Sequence, residues 1–281
     1  MLSALLLLAF QQVADMEFRP PLLDKPQWSA GKGPVLALDE AHHNFHTLGG
    51  RYRTFGALAQ RDGFVVRPNR APFTAASLAG IRILVIANAL HRSDANSWKP
   101  PNLSAFTDAE VRAVQAWVRD SGGSLFLIAD HQPFPAAAQT LAAAFDIEVH
   151  NGYAMDGDPP VGLLRFQLPA EGPILTFGGS ALRLPAGATS ILPLSDMAVS
   201  RTVPDPGTAN LGNPIESKPV GGWSQGGTLE FGKGRVAMFG EAAMFSAQLA
   251  GPKRFPMGMN HPQAGGNARL LLRILHWLAG S

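Results

Sequence analysis

Apolar residues along this chain fall into two alternating patterns. The first is a short run, nearly unbroken, that follows Gly or Pro and ends on a polar residue: 35–39, 64–66, 81–88, 124–129 and 235–240. Runs of this kind read as strands covered on both faces. The stretch 81–88, ending at Asn88, is β-branched and the clearest of them. The second pattern spaces apolar residues three and four apart. It predicts helices over 51–62, 75–80, 107–121, 133–145, 242–249 and 267–279. Thr107 and Glu110 have the spacing of a capping box at the start of one of these, and Gly122-Gly123 stops it. The last helix should bury Leu270, Leu271, Ile274, Trp277 and Leu278 on one face.

Strand and helix alternate from residue 34 to 150, which predicts an α/β fold. The expectation is a flavodoxin-like, doubly wound, mostly parallel sheet. Between 151 and 232 helix patterns vanish and Pro and Gly become dense. Short runs at 162–168, 198–203 and 227–231 suggest antiparallel hairpins. Because the α/β pattern resumes afterwards, 34–281 reads as a single domain with a β-rich elaboration at 151–232. Residues 1–33 read as an apolar start and an extended lead-in.

Composition narrows the function classes. The chain has 281 residues, long enough to bury a sizeable core without staples. It has no Cys, which removes disulfides, zinc–thiolate sites and a Cys nucleophile. A formal charge of +2 with no basic cluster gives no reason to expect nucleic acid. Leu2 to Phe10 is too short to span a bilayer and has the length of a signal-peptide core, with Ala14 following. A periplasmic or secreted protein is therefore expected, or a cytoplasmic one if residues 2–14 form an ordinary helix. No stable membrane span is expected, and oligomeric state is left open.

The candidate chemistry lies just after the strands. In a parallel sheet these ends share one edge, so groups distant in sequence converge there. The first strand delivers Asp39, Glu40, His42, His43 and His46. The third delivers Asn88 and, further on, His91; the fourth Asp130 and His131; the last Glu241, with Asn260 and His261 in the next loop. Histidine with carboxylate suits a divalent metal, with Zn the first expectation and Ca or Mn the others. The expected ligands are Asp39, His42, His46, His131 and His261, with Asp130 as the other carboxylate choice. Asp130 or Glu241 would take a proton, and Asn88 or Asn260 would hold an oxyanion. Glu40, His43, His91 and Tyr153 are expected to contact substrate. His150, Tyr153, Asp156 and Asp158 form a polar cluster that reads either as a solvated turn or as a rim of the site. His276 reads as packing or surface. No Gly-x-Ser-x-Gly elbow and no dinucleotide fingerprint occur.

Three stretches, VLALDEAHHNFHT (35–47), GGSLFLIADHQPF (122–134) and GRVAMFGEAAMF…MNHPQAGGNARLLLRILHWL (234–278), resemble the class I glutamine amidotransferase-like superfamily, in a bacterial branch lacking the nucleophilic Cys. The resemblance covers about 34–150 and 233–280. It implies a flavodoxin-like sheet, with Asp130-His131 at the elbow where amidotransferases carry their Cys, so glutamine hydrolysis is not implied. The leading expectation is a metal-dependent hydrolase of a small-molecule ester, lactone or amide. The alternatives are a non-catalytic domain binding carbohydrate or a cell-envelope component, and a metal-free carboxylate–histidine hydrolase.

Overall fold

A computed structural model describes residues 12–21, 25–208 and 211–281. Its centre is a seven-stranded sheet: β1 (Val35–Asp39), β2 (Val65–Asn69), β3 (Ile83–Ala87), β4 (Ser124–Ile128), β5 (Thr189–Ser190), β6 (Gly226–Phe231) and β7 (Gly234–Phe239). Across the sheet the order is β5-β6-β7-β4-β3-β1-β2. The five strands from β7 to β2 run parallel. β6 pairs antiparallel with β7, and β5 with β6.

Five helices complete the α/β framework: α1 (Arg53–Arg61), α2 (Ala75–Leu78), α3 (Asp108–Ser121), α4 (Phe134–Ala143) and α5 (Asn267–Ala279). Strand side chains alternate between the two faces. Leu84, Ile86, Leu125, Leu127, Val236 and Met238 pack with Val114, Trp117 and Val118 of α3 and Leu141 of α4. Ile83, Val85, Phe126, Ile128, Ala237 and Phe239 pack with Phe55 and Leu58 of α1 and Leu270, Leu271 and Ile274 of α5. All of β3 and β4 is buried, which is why those strands read as continuous apolar runs. Each of the Val, Leu, Ile, Phe and Met side chains among them is worth roughly 1.5–3 kcal/mol when withdrawn from water.

The β-rich part makes small antiparallel units. Leu163–Leu168 pairs with Gly172–Phe177, and Val199–Thr202 pairs with both Glu216–Pro219 and Tyr153–Met155. β5 and β6 come from the same part of the chain but extend the main sheet. The chain at 179–180 lies directly across the end of β7. Ser180 N–H donates to Gly240 O at 2.6 Å and Ser180 Oγ donates to Ala129 O at 2.8 Å. A Cβ on Gly179 would sit 1.9 Å from Gly240 O, so only glycine allows this crossing.

One expected helix is absent. Residues 242–249 form a single 3-10 turn, Ala243–Phe245, followed by a strand, Ala247–Ala250. Glu241 caps the turn, accepting from Ala243 N–H at 2.9 Å and Met244 N–H at 2.7 Å. Ala247–Ala250 then pairs with Phe255–Gly258 and with Val13–Ala14. Alanine's helix preference is a weak prior that tertiary pairing overrides. The apolar stretch 2–10, expected to direct export, lies outside the described residues. Among the described residues no helix is long and apolar enough to cross a membrane.

Candidate functional site

The polar groups that follow β1, β3, β4 and β7 do share one edge, but they divide into two clusters. The first is a closed ion network. His42 Nδ1 lies 2.9 Å from Asp39 Oδ2, and His42 Nε2 lies 2.9 Å from Glu110 Oε1. Glu110 is the capping-box residue of α3, and it also accepts from the Thr107 and Phe73 backbone N–H groups. Burial alone would lower the His42 imidazole. Hydrogen bonds and charge from Asp39 and Glu110 outweigh it and hold the ring above its ordinary range. Burial would likewise raise Glu110, but bonds from Thr107, His42 and Phe73 bring it below the usual carboxylate range. Phe73 and Phe106 pack against the imidazole at 4.6 and 5.0 Å. His42 therefore acts as an imidazolium clamp between β1 and α3.

This alters the expected metal set. A metal needs a ring nitrogen lone pair, and both nitrogens of His42 are committed to carboxylates. Asp39 is committed to His42. His261 belongs elsewhere: its Nδ1 accepts from Gln263 N–H at 3.1 Å, and its ring lies against Phe177 and Phe255. Among the described residues no group of three or more His, Asp or Glu side chains is arranged to hold a metal ion.

The second cluster surrounds Asp130. Asn88, held at φ 51°, accepts from Asp130 N–H at 2.9 Å through Oδ1, and its Nδ2 faces His46 Nδ1 at 3.3 Å. His46 Nε2 faces Gln248 Nε2 at 3.5 Å, so both ring nitrogens look onto amide NH2 donors and the neutral ring accepts from one of them. Burial, with Arg51 and His131 nearby, holds His46 well below its ordinary range and neutral. The Asp130 carboxylate accepts from His131 N–H at 2.8 Å and Ala242 N–H at 3.3 Å. Burial raises Asp130 above the usual carboxylate range, with His131 and these bonds pulling the other way. Burial and the neighbouring Asp130 push Glu241 well above its range. Tyr52, whose hydroxyl donates to Ala242 O at 3.1 Å, is raised by burial and by both carboxylates.

His131 is half-buried, at the rim of this cluster. Its Nδ1 lies 2.8 Å from Gln132 O. A carbonyl only accepts, so Nδ1 carries the proton and Nε2 the lone pair. Its ring stacks on Tyr153 at 4.5 Å and 18°, with Trp98 and Phe134 at 6.2 and 6.0 Å. The Gln132 side chain is itself tied down, donating to Val203 O and accepting from Val203 N–H.

The other expected site residues have structural partners. Asn88 is occupied as described, and Asn260 Nδ2 donates to Asp15 and to Gln248 O, so neither holds an amide ready for an oxyanion. Glu40 accepts from Leu48 N–H and pairs with Arg70. His91 caps the turn Arg92–Asp94. His43 is exposed at φ 46°. His150 contacts Ser200, Asp156 contacts Ser195, and His276 contacts Asp62; Asp158 is exposed. Sequence reasoning missed Glu110 as the partner of His42, and Arg51, Tyr52 and Gln248 as neighbours of His46. Gln248 lies in the segment whose pattern predicts a helix but which forms the strand Ala247–Ala250. Arg51 and Tyr52 follow the His-rich loop directly, and that proximity was the available signal.

No family model and no curated relative matches this chain. Its fold has solved counterparts. It is similar to the mmIFT52 N-terminal domain. That match has a TM-score of 0.59 at 14% identity, over 87% of this chain and 97% of the other. Two putative ThuA-like proteins also match, from Bacteroides uniformis (TM-score 0.42, 11% identity, 93% and 95% covered) and Parabacteroides merdae (TM-score 0.44, 13% identity, 91% and 90% covered). At these identities the likeness concerns fold, and chemistry has to be argued from the residues.

Proposed function

We propose that this protein is a hydrolase of a small-molecule ester, lactone or amide, with His131 as general base and no step through a metal. The observation that carries the reading is the His131 ring, with Nδ1–H on the Gln132 carbonyl, Nε2 left basic, and the Asp130 carboxyl beside it. In this scheme Nε2 takes a proton from water as the water oxygen bonds to the substrate carbonyl carbon. The tetrahedral adduct then breaks its bond to the leaving group, which receives the proton from the imidazolium. The Tyr153 ring, stacked on His131, holds the imidazole plane.

The strand order β2-β1-β3-β4-β7 supports a flavodoxin-like reading. The ThuA-like neighbours accord with membership of the amidotransferase-like superfamily, with Asp130-His131 at the elbow. The periplasmic or secreted reading rests on the composition of residues 2–10 and is tested by N-terminal sequencing of protein from cell fractions.

The decisive experiment is a panel of nitrophenyl esters, lactones and anilides assayed with wild type, His131→Ala and His131→Asn. Turnover by wild type that drops at least about a hundredfold in both variants, with melting temperature retained, is expected for loss of a general base. No turnover of any panel member would leave the binding-domain alternative, which the absence of a nucleophile at the elbow favours.

A further inference from the structure

We propose that Arg51 receives the carboxylate of an anionic substrate next to His131. The inference rests on the hydrolase reading for its reaction and on separate observations for its ligand. Arg51 lies between β1 and α1, with its guanidinium carbon 3.6 Å over the Phe45 ring. Phe45 packs edge-on against Trp98 at 5.4 Å and against Phe134 at 5.7 Å, and these two rings flank His131. Arg51 and His131 both act on the buried His46 ring, so the two side chains approach the same imidazole. One aromatic wall thus joins the guanidinium to the proposed general base.

The guanidinium has little to satisfy it. Nη1 donates to Phe45 O at 3.0 Å. Nε is buried without an acceptor, and Nη2 makes no hydrogen bond to the described residues. Among those residues no Asp or Glu forms an ion pair with Arg51. Burial lowers the group to about 10. A largely withdrawn cation without a counter-charge is costly, and buried charges are as a rule paired. Nε and Nη2 share one edge of the fork, the edge on which a carboxylate makes two parallel bonds. Seating a ligand there requires a side-chain movement to open the Nε edge, of the kind binding commonly brings. Its neighbour His46 is neutral, so a single cation is offered. That matches the one charge of a carboxylate better than a phosphate dianion.

Two measurements test this. Calorimetry compares succinate, succinamide and inorganic phosphate binding to wild type, Arg51→Gln and Arg51→Lys. Succinate should bind wild type at least about tenfold tighter than succinamide or phosphate, Arg51→Gln should lose that margin, and Arg51→Lys should keep part of it. Hydrolysis of methyl hydrogen succinate should exceed that of dimethyl succinate in kcat/KM, with the ratio falling towards one in Arg51→Gln. Equal binding of succinate and succinamide by wild type overturns the proposal whether or not either variant folds, and so does phosphate binding as tightly as succinate. Succinate binding without turnover of the half-ester or of any ester, lactone or anilide of the panel overturns the hydrolase reading while sustaining the Arg51 site. Equal turnover of the two esters overturns the site and sustains the hydrolase.

Discussion

Replacing His42 with Ala would strand Asp39 and Glu110, two buried carboxylates, without the imidazolium between them. Removing one partner of a buried pair costs about 3–5 kcal/mol, a loss that urea denaturation would register. The conservative His42→Gln variant should reveal the pH dependence. His42 is raised in the folded state, so its contribution is complete below the ordinary histidine value near about 6.5 and declines as pH rises through the folded value. The gap between wild type and His42→Gln should therefore be widest at pH 5.5–6 and narrow towards alkaline pH. Glu110 has the opposite sign. It is lowered on folding, so its contribution is present above the ordinary Glu value and fades as pH falls through the folded one. A gap that widened with pH would show that His42 is neutral in the fold.

Among the elements, the N-terminus of α3 carries more than its own turn. Thr107 Oγ1 donates to Glu110 Oε2 at 2.8 Å and accepts from Glu110 N–H. The same Glu110 holds His42. An ordinary cap is worth about 1 kcal/mol. Thr107→Ala should cost about 1–2 kcal/mol, towards the upper end of the range measured for caps, because the carboxylate loses a bond that orients it for the clamp. Equilibrium unfolding of Thr107→Ala alone and in His42→Gln would show it: the penalty should shrink in the double variant, and strict additivity would mean that cap and clamp are independent. The segment 242–250 teaches a related lesson. Its alanines favour helix and Glu241 caps its first turn, yet pairing of Ala247–Ala250 with two partner strands draws the chain out into a strand.

For the molecule as a whole, the parallel sheet brings polar groups to one edge, but packing decides which of them stay available. Asp39, His42 and Glu110 satisfy each other, Asn88 and His46 support Asp130, and His131 is left with a basic nitrogen towards the rim. Prolonged EDTA treatment should accordingly leave the melting temperature and any hydrolytic rate unchanged, and added Zn should not raise either. A fall on chelation, restored by Zn, would mean that donors now apart come together around an ion.

The sequence by itself determined the elements of the parallel core and the edge at which polar residues meet. Buried strands need unbroken apolar runs, and parallel strands must all end on the same side. It also determined the cap of α3, because that signal is local. The His-rich loop could not be apportioned that way. Whether His42 ligates a metal or forms an ion pair depends on Glu110, 68 residues away, which only packing of α3 against β1 brings within reach. The same holds for Arg51: its charge is written in the chain, but its lack of a counter-charge is a property of everything folded around it.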